Sequence, residues 1–365
     1  MGNLELKIGS ASNAANTLTS SQKDVFEGRV EIRGRINLKQ FYYMGGESDA
    51  DTVKITMQVN AIRFRKNDQS DWQDNLTLFK NAKVGGKKVI DSQGRMTIRL
   101  QGIDAPELHF RPTAPTGLND IQKEKFKSLN KEFRQFGGGK ATFKLVEFLK
   151  TLSQGDEDAL FVNAFAFSYV DSPNDLFDRY GRAVADIVVT ANDDTTGINI
   201  NQWLVENGWT FPDFYNSMSF NEIKILEEKG KSAKQNEKGI WKEYSQKLQP
   251  FKFDLFFDKD VTIDPDLDSG LLNPPKIFRR QAPYEILIKA EIKQFSNFKS
   301  YLQTLTDNCY VTHEFLEKGN NAELFTLSDS IDEQDNLAFL PGDLVFVVAD
   351  ATLKDEIGNP ITEWF

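Results

Sequence analysis

An α+β fold built on a small twisted β-barrel is what this sequence predicts, and three observations predict it. Five segments alternate apolar and polar residues with β-branched enrichment, helical periodicities are interleaved with and follow them, and a proline-bearing acidic break sets off a second, smaller pattern. The first strand falls in FEGRVEIRGRINL, beginning near Val25, and the second in DTVKITMQV. The third runs from Arg95 to Ile103, the fourth from Ala159 to Val170 and the fifth from Arg182 to Thr190. Helical spacing places a helix over Asp120–Phe136, ended by Gly137-Gly138-Gly139, and further helices over Lys140–Leu152, Asn199–Asn207 and Phe220–Lys238.

At 365 residues the chain is long enough for two domains, at about 150 residues each. Residues 1–25, rich in Ser, Asn, Ala and Thr, read as a mobile tail, and residues 26–245 as the barrel domain. Residues 246–275 read as an acidic linker carrying Pro250, Pro265, Pro274 and Pro275. Residues 276–365 read as a C-terminal α+β accessory module, with a strand in YEILIKAEI, a helix over Asn297–Leu305, and strands in AELFTLSD and DLVFVVADATL. The net charge of −10 is unevenly spread: residues 246–365 hold 11 basic and 21 acidic side chains, so the rest of the chain is neutral overall. An acidic module binds nucleic acid poorly, because phosphate neutralisation dominates non-specific affinity, and its acidity argues for a protein contact, a solubility role or charge masking of the cleft. A neutral domain with a local cluster of arginines is still compatible with a phosphate substrate.

One cysteine, Cys309, excludes an intrachain disulfide, and two histidines leave no room for a His-rich zinc site. The loop Asp264–Gly270 lacks the glycine and the closing glutamate of a calcium-binding helix-loop-helix and reads as linker. No run of about 18 apolar residues is present, and Met1–Ser20 is polar without a signal-peptide core. The expectation is a soluble chain with no membrane partner, cytoplasmic or, if a leader has been removed, secreted.

The densest chemistry lies in RLQGIDAPE, Arg99–Glu107. Arg99 rides on a strand, Gly102 permits a bend, and Pro106 ends the ladder. Two carboxylates, Asp104 and Glu107, follow into the same small volume. Arginine matches phosphate oxygens with a planar fork, carboxylates orient water, and paired aspartates suit a hard cation. Each motif alone is also what a solvated strand end or a polar turn looks like. Several occur here in order.

RLQGIDAPE resembles the signature of the staphylococcal nuclease family. SDADTVKI (Ser48–Ile55), DRYGR (Asp178–Arg182), NQWLVENGWTF (Asn201–Phe211) and AKQNEKGIW (Ala233–Trp241) resemble other family segments in family order, over about residues 28–245 with two insertions. The resemblance implies a five-stranded OB-type β-barrel with helices. It implies a calcium-dependent nuclease that hydrolyses DNA and/or RNA and leaves 3′-phosphate ends. Asp51 and Asp104 would hold Ca²⁺ with the carbonyl of Ala105, Glu107 would orient or deprotonate water, and Arg99 and Arg182 would clamp the phosphate. Tyr180, Phe214 and Tyr215 are candidates for stacking on a nucleotide, with core packing as the competing reading in a chain of 29 phenylalanines. Ala50 departs from the glycine common in the family. Non-catalytic members that act as nucleic-acid or protein scaffolds supply the alternative function. The first insertion carries Arg63, Arg65, Lys66 and Trp72; the second, with its helix over Asp120–Phe136, is expected to act as a lid or substrate wall.

Overall fold

The computed structural model describes residues 28–67, 69–74, 76–153, 160–190, 197–258, 264, 268–349 and 351–364, so the N-terminal tail expected over 1–25 lies outside the described residues. The five expected strands are β1 (Arg29–Asn37), β2 (Thr52–Arg65), β3 (Arg95–Leu100), β4 (Phe161–Tyr169) and β5 (Ala183–Thr190). They close into a barrel in the order β1-β4-β5-β3-β2 and back to β1. β3 and β5 pair in parallel and the other neighbours are antiparallel, so this is a closed five-stranded mixed barrel with helices around it. Closure leaves no free edge around the ring.

Strand alternation fills the barrel. Val30, Ile32 and Ile36 of β1, Val53 and Ile55 of β2, and Met96, Ile98 and Leu100 of β3 are fully or almost fully buried in one cluster. The intervening side chains of β3, Arg99 among them, therefore face outward, as a period of two requires.

The helices that bear on the site are α1 (Asp120–Leu129), α2 (Gly138–Leu152), α3 (Ile200–Glu206), α4 (Phe220–Gln235) and α5 (Pro275–Lys289). Asn119 and Ser219 start α1 and α4 with capping boxes that satisfy backbone N–H groups at the first turn. α1 stops at Leu129, short of the expected Phe136. Phe133 instead pairs across the backbone with Phe110 and buries its ring beside Phe251.

One expectation is overturned: YEILIKAEI is no strand, because Tyr284–Lys289 forms the second half of α5. Pro283 inside the helix hid the continuity, since proline ordinarily breaks a helix by removing a hydrogen bond. Here burial compensates: Ile277, Phe278, Ala282, Ile286 and Leu287 all enter one apolar cluster. The C-terminal residues also reach the barrel. β6 (Phe214–Tyr215) pairs in parallel with β7 (Leu344–Phe346), and the Trp364 ring stacks on Phe64 of β2 at 4.3 Å. Among the described residues, no helix is long and apolar enough to cross a membrane.

Candidate functional site

The barrel brings the motif residues together. Register aligns Thr52 of β2 with Arg99 of β3, and Arg99 with Val184 of β5, so Asp51 and Arg182 each stand beside Arg99 at adjoining strand ends. Leaving β3, the chain turns at Gly102, whose φ of +74° favours glycine and whose missing Cβ avoids Leu226 and Met218. The chain then re-enters a two-residue strand, Ile103–Asp104, paired with Phe211–Pro212. Beyond it, the carbonyls of Pro106 and Glu107 approach Gly138 so closely that a Cβ there would lie 2.8 Å from the Glu107 oxygen. The start of α2 thus presses directly on the Glu107 turn.

Two guanidinium groups and three carboxylates interlock. Arg99 pairs with Asp51 through Nη1, and its Nη2 donates to Asp104 Oδ1 at 2.6 Å and to the Ile103 carbonyl at 3.2 Å. Asp51 Oδ2 also accepts the Ala105 N–H at 3.0 Å. A residue outside the motifs completes the cluster: Arg279 of α5. Its Nη1 donates to Asp104 Oδ1 at 3.0 Å and to Glu107 Oε1 at 2.6 Å, and its Nη2 donates to Asp104 Oδ2 at 2.7 Å. Arg182 stands at the rim, with Nε on Asp178 at 2.7 Å and Nη1 toward the Thr52 hydroxyl at 3.3 Å. Its side chain is 30% exposed, against 14% for both Arg99 and Glu107, which makes it the group solvent reaches most readily.

Electrostatics follow this packing. Burial alone would raise Asp51 and Asp104. Arg99 outweighs it at Asp51, and Arg279 and Arg99 outweigh it at Asp104, so both carboxyls lie below their ordinary values. At Glu107 burial wins: despite Arg279, it raises the carboxyl, helped by Asp104 and Asp51. Asp49 is pushed well above its ordinary value by burial, then by Asp51 and Glu107.

A hard-oxygen donor set exists in composition: the Asp51 and Asp104 carboxylates and the Ala105 carbonyl. As arranged, however, it does not fit a divalent cation. Both Asp104 oxygens accept guanidinium N–H groups, and Asp51 Oδ2 is shared between Arg99 and Ala105. Among the described residues, no three His, Cys, Asp or Glu side chains converge as a metal-binding group. A divalent ion about 4 Å from a guanidinium would be repelled by about 8 kcal/mol at an effective dielectric constant of about 20.

The aromatic candidates separate. Tyr180 is 55% exposed beside the rim, with the Arg179 and Arg182 guanidiniums 4.9 and 5.7 Å from its ring centre. Phe214 is corrected: it is fully buried where β6 meets β7, and its ring belongs to the core, not to a base platform. Tyr215 is turned to the C-terminal residues, its hydroxyl accepting from Lys276 Nζ at 3.0 Å and its ring packed near Phe346. A phenol held in that way is occupied by protein.

Arg279 was missed because Pro283 concealed α5 and because Arg279-Arg280 lies far from the motifs in sequence. The discernible signal was two adjacent arginines in an otherwise acidic third of the chain. A buried amide network sets α5 against the Glu107 turn. Gln135 Oε1 accepts the Glu107 N–H, Gln135 Nε2 donates to the Asn273 carbonyl, and Asn273 Nδ2 donates to Gln281 Oε1 at 2.9 Å. α1 buttresses α5 from outside, its Phe126 sharing a cluster with Phe278, so the second insertion supports this helix instead of forming a separate wall. In the first insertion, Arg63 and Arg65 stack on Trp72 with their guanidinium carbons 4.0 and 4.8 Å from its ring centre.

No curated protein matches the chain. A family model described as staphylococcal nuclease homologue matches residues 97–243, a span that holds Arg99, Asp104, Glu107 and Arg182 but begins after Asp51, β1 and β2. Those two strands nevertheless complete the ring that the matched segment would otherwise leave open, and the chain carries a staphylococcal nuclease-homologue domain.

Proposed function

We propose that this chain is a nuclease that hydrolyses phosphodiester bonds of DNA or RNA. The observation that carries the reading is the convergence of Arg99, Glu107 and Arg182 on one barrel end, with Asp51 and Asp104 between them. Glu107 takes a proton from water as the water oxygen bonds to phosphorus. Charge developing on the phosphoryl oxygens is met by Arg182 at the rim and by Arg99 beneath it. The bond from phosphorus to the 5′ oxygen breaks, the leaving oxygen takes up a proton, and a 3′-phosphate remains. Tyr180 offers an exposed ring for a neighbouring base.

A second reading, a non-catalytic nucleic-acid-binding scaffold, is favoured by one feature. Arg99 is shared between two aspartates and Glu107 is held by Arg279, so substrate must displace existing ion pairs to engage either. The two readings part on release of acid-soluble nucleotides from single-stranded DNA and RNA, with Ca²⁺ and with chelator. Arg182→Ala and Glu107→Gln are each expected to lower turnover at least ~10²-fold, the scale for losing one electrostatic or acid–base contributor. Full turnover in either variant, free of contaminating nuclease, would sink the assignment of these roles to Arg182 and Glu107. Tight binding without release in the wild type would establish the scaffold.

A further inference from the structure

The geometry points to Arg279 as the resident cation of this carboxylate site, held where a divalent metal ion would otherwise lie. The binding statement stands on geometry alone; only its catalytic consequence rests on the nuclease reading. Arg279 makes three hydrogen bonds to two carboxylates, all between 2.6 and 3.0 Å, and takes both oxygens of Asp104. A planar fork meeting one carboxylate with two N–H groups is the strongest arrangement a side chain can offer an anion.

The helix that delivers Arg279 is fixed rather than swinging. Ile277, Phe278, Ile286 and Leu287 are buried on its apolar side. Arg280, the next residue, forks onto Asp307 with two bonds of 2.6 Å. Gln281 is tied into the amide network that also carries Glu107, so one set of buried bonds places the guanidinium and its carboxylate partner together. Withdrawing α5 as a unit would break all of these at once. The arrangement is therefore a built ion cluster and not a lid resting on an open site.

Its charge is that of a site already supplied. Asp51, Asp104 and Glu107 face Arg99 and Arg279, three acidic groups against two basic ones, with Arg182 beyond. A phosphodiester entering here would meet three guanidinium groups. Stabilisation of the developing charge would come from Arg279 at a position where an oxygen-liganded ion would otherwise act.

Isothermal titration of the full chain with CaCl₂, and separately MnCl₂, tests this without reference to turnover. The wild type is expected to show no binding at millimolar metal that Asp104→Asn abolishes. Arg279→Gln, which removes the charge and leaves a shorter neutral side chain, is expected to gain Ca²⁺ binding and a Ca²⁺-dependent rise in melting temperature, both lost in Arg279→Gln/Asp104→Asn. Wild-type binding that depends on Asp104 would overturn the proposal, as would a folded Arg279→Gln protein that binds no metal. Should Arg279→Gln not fold, the wild-type titration decides alone. An inactive chain that binds no metal would defeat the nuclease reading and leave this one standing; an active chain that binds Ca²⁺ through Asp104 would do the reverse.

Discussion

At Glu107, burial and the Arg279 guanidinium act in opposite directions on one carboxyl, and burial prevails. A general base must be ionised, so turnover should fall as pH drops, with the acid limb centred above the ordinary glutamate value of 4.5. A pH profile of kcat/KM checks this, and a limb at or below that value would contradict it. Asp186 makes a separate residue-scale case, away from the site. Burial, with Glu222 adding to it, pushes its carboxyl from 3.8 up to about 8. The folded state therefore holds a proton that the unfolded chain gives up near pH 4. The stability it contributes is full below that pH and is lost progressively as pH rises toward about 8. Asp186→Asn can keep the contact with Asn199 and removes the titration. It should raise the melting temperature little at pH 4 and increasingly up to pH 8, as thermal melts across that window would show. The motif residues were legible in sequence because each sits within a few positions of its neighbours on a strand or turn. Phe214 was not, since a stacking ring and a core ring look alike until strand pairing is known.

At the scale of elements, α5 owes its placement to polar groups as much as to its apolar side. Asn273, fully buried, donates to the Gln249 carbonyl and to Gln281, accepts from the Gln249 N–H, and takes Gln135 on its carbonyl. Asn273→Ala leaves several of these partners unsatisfied in the interior and should cost about 1–3 kcal/mol. Urea unfolding should show a lower midpoint with an unchanged slope. Most of the strands were readable because alternation survives in them, as in β3, where inward Met96, Ile98 and Leu100 are set against Arg95, Thr97 and Arg99; β5, buried over Ala185–Val189, was readable from its β-branched run instead. α5 was not readable, because its apolar positions straddle a proline. Only tertiary burial explains why the helix passes through Pro283 unbroken.

For the whole molecule, the acidic C-terminal third and the barrel share cores. Phe315, Val345, Leu353 and Trp364 lie in the same cluster as the barrel strands, and β7 extends a sheet begun by β6. Trp364→Ala should therefore cost about 3–5 kcal/mol despite its distance from the site. A chain cut after residue 245 should lose its cooperative thermal transition. Retention of a sharp melt in that truncation would show that the barrel folds without its partner. Sequence composition separated the acidic third cleanly but carried no sign of this packing, because complementarity between distant apolar surfaces leaves no periodic mark.

The stacking of Trp364 on Phe64 joins residues 300 positions apart in the chain. Contacts of such long separation must be closed against the entropy of the intervening loop before they return any stabilisation, and chains rich in them fold slowly. Refolding from denaturant should thus be led by the local hairpins of the barrel, with the C-terminal contacts arriving last. During that interval Asp104 and Glu107 would stand without Arg279, and the time at which the guanidinium arrives becomes a kinetic marker for completion of the fold.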